Sequence, residues 1–175
     1  LRALRELCAL ARVGLDVADV IAARGEESDD RPRAWLLSLE RWCRGEETGP
    51  QLAARTRAME VWRDAVFAKP RGPKEPVDVD PWGLALHWLS DARVDLVRNP
   101  GHRGHHVLVV DAAARTLRRV DGETIDASVA RVAAMLDRHR KAVGEECARA
   151  EVAARLTQAK ADKITAERAL GTFPG

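Results

Sequence analysis

Residues 2 to 24 carry apolar side chains on two adjoining stripes: Leu4, Leu7, Cys8, Ala11, Leu15, Ala18 and Ile21 on one, Leu10, Val13, Val17 and Val20 on the other. The three- and four-residue steps are those of a helix, and a surface helix needs only one such stripe. Two stripes leave little of the circumference polar, so the segment has to lie at the centre of a bundle with neighbours on several sides. The next residues supply them. After a polar loop from Gly25 to Asp30, a helix is expected from about Pro32 to Arg44 with Trp35, Leu36, Leu39, Trp42 and Cys43 inward. A third starts at Gly49-Pro50 and runs to about Ala68, burying Leu52, Thr56, Met59 or Val61, Trp62 and Val66. Asp30 is suited to cap the second helix, Pro32 to its first turn and Gly45 to its exit. Short connections make such helices antiparallel neighbours.

The helical pattern breaks at Lys69-Pro70-Arg71-Gly72-Pro73-Lys74-Glu75-Pro76, where three prolines fall within seven residues. Neither helix nor central strand accepts that density, so 70–80 reads as a linker between a helical bundle over 1–69 and a second part over 81–175. Pro81 to about Ala92 shows Trp82, Leu86 and Leu89 at helical spacing, with Trp88 nearby. Three β-like runs follow: Val94 to Val97, then His105 to Val110 beyond the Asn99-Pro100-Gly101 turn signal, then Thr116 to Val120, ended by Asp121-Gly122. The run Val107-Leu108-Val109-Val110 suggests a strand buried on both faces, and Asp111 to Arg115 suggests the turn after it. From about Asp126, Val129, Val132, Leu136, His139 and Val143 keep the 3-4 spacing of a helix packed on a partner, with Gly144 a possible break and a further amphipathic segment reaching Gly171. The expected fold class is therefore α+β, mainly α: an N-terminal helical bundle, a small antiparallel three-stranded sheet, and a long C-terminal helix or helix pair.

The 175 residues carry 29 Lys and Arg against 27 Asp and Glu, a net charge of +2 that offers polyanions no strong field. Arg98, Arg103, Arg115, Arg118 and Arg119 gather near the expected sheet, but no aromatic residue accompanies them to stack on bases. Nucleic acid is therefore unsupported as a partner. Every apolar run is interrupted by Arg or Asp well short of the roughly 20 residues a spanning helix needs, so no membrane segment is expected. The N-terminus lacks the apolar centre of a secretory signal, and Leu1 in place of Met fits a chain that is processed or part of something longer. Cys8, Cys43 and Cys147 are odd in number and widely spaced, which argues against a disulfide framework and fits a reducing, cytoplasmic setting.

Two constellations could carry chemistry. Gly101-His102-Arg103-Gly104-His105-His106 leads into the apolar run, and a His at the head of a strand resembles the general-base strand of papain-like thiol peptidases, with Asp111 as a possible orienting group. Such a site needs a thiolate at a helix N-terminus, whereas Cys8, Cys43 and Cys147 all fall on or at the ends of apolar helical stripes, where a thiol is a small core side chain. His102, His105 and His106, joined by His87 or His139, could alternatively hold a metal. With no Cys nearby the site would be weak and pH-dependent, and solvated imidazoles in a polar turn are the simpler account. No dinucleotide fingerprint or P-loop occurs. No cofactor and no catalytic residue is assigned.

The remaining pattern is Asp29-Asp30-Arg31-Pro32-Arg33 followed by Trp42-Cys43-Arg44-Gly45-Glu46 and the Ala-rich stretch Ala53 to Ala65. In order and spacing, with Cys8 in the preceding helix, it resembles a family of small all-helical bacterial proteins, the Imm-5 type, predicted to be immunity proteins of polymorphic toxin systems. The resemblance covers about residues 4 to 67; past Pro70 the family continues in Ala- and His-rich helices where this sequence suggests strands. It implies a non-enzymatic, cytoplasmic protein-binding module that neutralises a toxin by occluding it. Asp29, Asp30, Arg31, Arg33, Arg44 and Glu46 would form the charged rim that steers a partner. As helix entrance and exit alone, the same residues need no partner. Alternatives are a scaffold subunit that assembles as a homo-oligomer through residues 126–170, where Val132 and Leu136 would be the seam, and a Cys-His thiol enzyme using the His106 strand.

Overall fold

The computed structural model describes residues 2–25, 29–68, 80–99 and 104–171. They form α1 (Arg2–Ala23), α2 (Asp30–Cys43), α3 (Gly49–Phe67), α4 (Pro81–Arg98), α5 (Gly104–Asp121) and α6 (Ile125–Gly171). There is no strand among them, so the expected sheet is corrected to an all-α architecture. The expected proline-rich linker, Asp80 apart, lies outside the described residues. Two compact units are present, Leu1–Arg140 and Lys141–Gly175.

In the first unit α1 is the central element. Five consecutive residues, Leu7, Cys8, Ala9, Leu10 and Ala11, are buried, as are Val13, Gly14, Val17 and Ile21. Burial all round the helix requires cover on several sides. It comes from α2 on one side and from α4 and α5 on the others, while α3 packs on α2 and α4. Residues before and after the proline-rich stretch thus share one core, which also takes Val132, Met135 and Leu136 from the start of α6. Small residues set the approach. A Cβ at Gly14 would stand 2.7 Å from Leu36 Cδ2, and one at Gly83 would stand 2.7 Å from Phe67 Cε1, so α2 and α3 rest where only glycine leaves room.

The helix boundaries have local causes. Asp29, rather than Asp30, caps α2; Thr48 precedes α3 with its N–H donated to Gln51 Oε1 (2.8 Å); Thr124 Oγ1 accepts from Ala127 N (3.2 Å) at the start of α6. Gly45 and Gly122 take φ of +75° and +69° at the exits of α2 and α5, a conformation L side chains rarely adopt. Gly144 breaks nothing and lies inside α6. In α3 the buried side chains are Leu52, Thr56 and Met59, with Val61 turned to water.

The three runs expected as strands are helical for a visible reason. In α5 the buried residues Val109, Ala112, Ala113, Ala114, Thr116 and Leu117 gather at the three- and four-residue spacing of a helix, while Val107 (71% exposed) and Leu108 face outward. The apolar run that suggested a doubly buried strand is half solvent-exposed. The supposed turn, Asp111 to Arg115, is mid-helix, closed by an i,i+4 ion pair at 3.0 Å. Val94 to Val97 belongs to α4, which continues to Arg98. Ala112 to Ala114 raise helix propensity where the β-branched residues lower it, and burial of the stripe on α1 and α4 decides the outcome.

Trp35, fully buried, donates its indole N–H to Thr56 Oγ1 (3.0 Å), whose hydroxyl donates in turn to the Leu52 carbonyl (2.8 Å). Thr56→Val keeps the volume but leaves the indole unpaired. We expect it to cost about 1–3 kcal/mol in urea unfolding followed by circular dichroism, with Thr56→Ser losing clearly less.

Candidate functional site

The charged residues singled out in the sequence fall at the two ends of α2. At the entrance, Asp29 Oδ1 accepts the Arg31 backbone N–H (2.9 Å), and the same carboxylate takes the Arg31 guanidinium through Nε (2.8 Å) and Nη2 (2.6 Å). Arg31 holds the Asp29 carboxyl below the ordinary carboxylate range. Asp30 is exposed in the first turn, and Arg33 Nε reaches Asp19 on α1 at 3.2 Å. At the exit, Arg44 bridges Glu40 (3.3 Å) and Glu46 (2.7 Å). A helix of 14 residues separates the two groups by about 20 Å, so the six residues form two clusters and no single rim. Except for Asp30, each is engaged with a neighbour inside the chain.

Glu40 is the member of this set that sequence reasoning missed. It is 7% exposed and accepts from Arg12 Nε (3.0 Å) and Nη2 (2.8 Å) on α1 as well as from Arg44. A charge in the middle of an inward-facing segment was the available signal. Close by, the Cys8 and Cys43 thiols hydrogen-bond one another, and that bond, followed by burial, pushes the Cys43 thiol up. A thiol held protonated is the reverse of an activated nucleophile.

The histidines lie in α5 and not on a strand. His105 and His106 occupy its first turn; His102 is outside the described residues. His105 Nδ1 stands 2.7 Å from Asp95 Oδ2 on α4, and its ring stacks on Trp88 with centroids 5.6 Å apart. His87 lies against the same Trp88 at 4.8 Å and 3.6 Å from Asp91. His139, on α6, is bound instead to Asp16 Oδ2 of α1 at 2.7 Å, alongside Arg138. His87, His105 and His139 are thus each set against a different carboxylate. Among the described residues no group of three or more His, Cys, Asp or Glu could hold a metal ion. Asp95, ten positions before His105, offered no sequence signal, since only packing of α4 on α5 brings them together.

A more enclosed polar cluster lies where α1, α5 and α6 meet. The Asp121 carboxylate, 6% exposed, accepts Arg24 Nε on Oδ1 (2.6 Å) and Arg131 Nη1 on Oδ2 (2.6 Å). Arg131 also bonds Glu123 Oε1 (2.7 Å), and Glu123 Oε2 accepts from Ser128 Oγ (3.1 Å). The arrangement ties the ends of α1 and α5 to the start of α6 through paired charges and acts as a latch.

In the second unit every residue from 148 to 171 is exposed, including Val152, Leu156, Ile164 and Leu170. No helix among the described residues is long and apolar enough to cross a membrane. Comparison with protein-family models, with curated proteins and with solved structures gave no match.

The Arg131 hydrogen bond, aided by Arg24, holds the Asp121 carboxyl below its ordinary value. A depressed folded-state value means that the latch contributes its stability above the unfolded value, near pH 4, and loses it as the pH falls through the lower folded value. We therefore expect Asp121→Asn to lower the urea midpoint at pH 7, and to converge with the wild type as both are titrated below about pH 4.

Proposed function

We propose that this chain is a non-enzymatic protein-binding module that self-associates through residues 141–171. The observation that carries the reading is the exposure of 148–171, with Val152 and Leu156 each 57% and Leu170 72% accessible. A helix of this length gains little from its own ion pairs, and apolar groups set at fixed spacing are stabilised by being covered. Val152, Leu156, Ala159, Lys163, Ala166 and Leu170 follow alternating steps of four and three, the geometry of a coiled-coil seam. Val132 and Leu136, the seam residues expected from the sequence, are buried in the core of the first unit, which leaves the later stripe for assembly.

A second copy of this chain fits that stripe best. The positions 152, 156, 159, 163, 166 and 170 are symmetric about 161, so an antiparallel copy places Leu156 opposite Ala166 and Val152 opposite Leu170. Leu156 then meets the small Ala166 and Lys163 meets Ala159, while Val152 and Leu170 meet at the two ends of the seam. Six basic residues against five acidic ones over 141–171 give no field of one sign to attract a membrane surface or a nucleic acid.

A second reading, neutralisation of a toxin, draws its support from the likeness of residues 4–67 to the Imm-5 type. The helical course of α4 and α5 removes the strands that had set the later residues apart from that all-helical family. In this reading the clusters at either end of α2, where Asp29, Asp30, Arg31, Arg33, Arg44 and Glu46 lie, would meet the partner.

Sedimentation equilibrium distinguishes the two. At tens of micromolar the full chain is expected as a dimer or larger, and Leu156→Glu with Leu170→Glu as a monomer with unchanged helix content below residue 140. A wild-type monomer at that concentration would overturn self-association.

A further inference from the structure

We propose that Cys8 and Cys43 are a redox-sensitive pair that closes to an intramolecular disulfide on exposure to a low-molecular-weight disulfide, tying the first half of α1 to the end of α2. The register of the two helices carries the argument. Arg12 bonds Glu40 at 2.8 Å, Gly14 receives Leu36, and Asp19 meets Arg33 at 3.2 Å. As the α1 number rises the α2 number falls by a similar step, so the helices run antiparallel in a fixed register. One turn back from Arg12 is Cys8, on the same face of α1, and one turn on from Glu40 is Cys43, on the same face of α2. The two thiols are therefore level with one another, and they share a hydrogen bond.

Their exposures differ in the sense that a stepwise exchange requires. Cys8 is 3% exposed, whereas Cys43, the last residue of α2, is half-buried. A small disulfide, RSSR, meets Cys43 first. The Cys43 thiolate attacks one sulfur, the S–S bond breaks, RS⁻ leaves and takes up a proton, and Cys43 becomes a mixed disulfide. Cys8 then loses its proton and attacks the Cys43 sulfur, expelling the second R group as thiol. The protein gives up two protons and two electrons, and one RSSR becomes two RSH. The exchange is reversible, and an excess of reducing thiols holds the pair as the dithiol.

Closure would join residues 35 apart and fix the Arg44-Gly45-Glu46 turn to α1, beside the Arg12-Glu40 ion pair. A cross-link over a segment of this length restricts the unfolded chain more than the folded one, in which the two sulfurs are already neighbours.

The test uses the full chain, folded, in neutral buffer with oxidised glutathione as the probe, quenched with acid and mapped without reduction. Free thiols are expected to fall from three to one, with a Cys8–Cys43 linked peptide, no retained glutathione on either residue, and Cys147 still free. Cys147→Ser should fall from two to none, and Cys43→Ser should form no link to Cys8. The oxidised chain should melt roughly 5–10 °C above the reduced one, and dithiothreitol should reverse the shift. Glutathione retained on Cys43 beside a free Cys8, a link that forms in urea but not in the folded chain, or no loss of thiols at all would each overturn the proposal.

Discussion

The burial of α1 on nearly all sides is the constraint from which the first unit follows. Leu7 to Ala11 put five successive residues out of water, which a single packed face cannot do. Each side of α1 therefore demands a neighbour, and α2, α4 and α5 are the helices that answer it. Deletion of any of them would expose apolar surface on the central helix at a cost of order 25 cal/mol per Å². Gly14 matters beside the leucines, because its missing Cβ lets Leu36 of α2 come close enough to fill the space beside the backbone.

Around this core the ion pairs do a different task. Most of them, such as Arg33 with Asp19, join exposed groups, and such pairs contribute on the order of 0–1 kcal/mol. Their value is in alignment. Arg12 with Glu40 fixes α2 on α1, Arg138 and His139 fix the start of α6 to Asp16, and Arg140 fixes it to Glu6. An apolar interface allows sliding by a turn at modest cost; a buried Glu40 met by two guanidinium groups does not, since moving it strands a charge. The same fixed register brings Cys8 and Cys43 to one level. A property of the thiols is thus a consequence of where the arginines are.

The sequence was legible where one signal dominated. The double stripe of α1, the caps and Pro32 of α2, and the Gly49-Pro50 start of α3 each have a local cause, and each element stands where it was expected to within a residue or two. It was not legible at 104–121, where four consecutive apolar residues, three of them valine, masked the helical step from Val109 to Leu117. Exposure of Val107 and Leu108 decides between strand and helix, and exposure is a property of packing that no short window contains. The candidate sites divide in the same way. Asp29 with Arg31 is local and could be foreseen, with the cap one residue earlier than expected. Asp95 with His105, and Asp16 with His139, depend on helix pairs that meet only in the folded chain.

This distribution of partners bears on what the molecule can do. A catalytic carboxylate or imidazole must have a face turned toward a substrate, and its neighbours must shift its proton affinity toward the working range. Here Asp121 has Arg24 and Arg131, Glu40 has Arg12 and Arg44, and the His105 ring lies between Trp88 and Asp95. These groups are engaged in holding helices together. The apolar groups of 148–171 are in the opposite condition: Val152, Leu156, Ile164 and Leu170 are all exposed, and exposed pairs such as Lys163 with Glu167 at 3.8 Å add little to a helix. Covering those exposed apolar groups would take their surface out of water, and that is the free energy on which the proposed self-association draws.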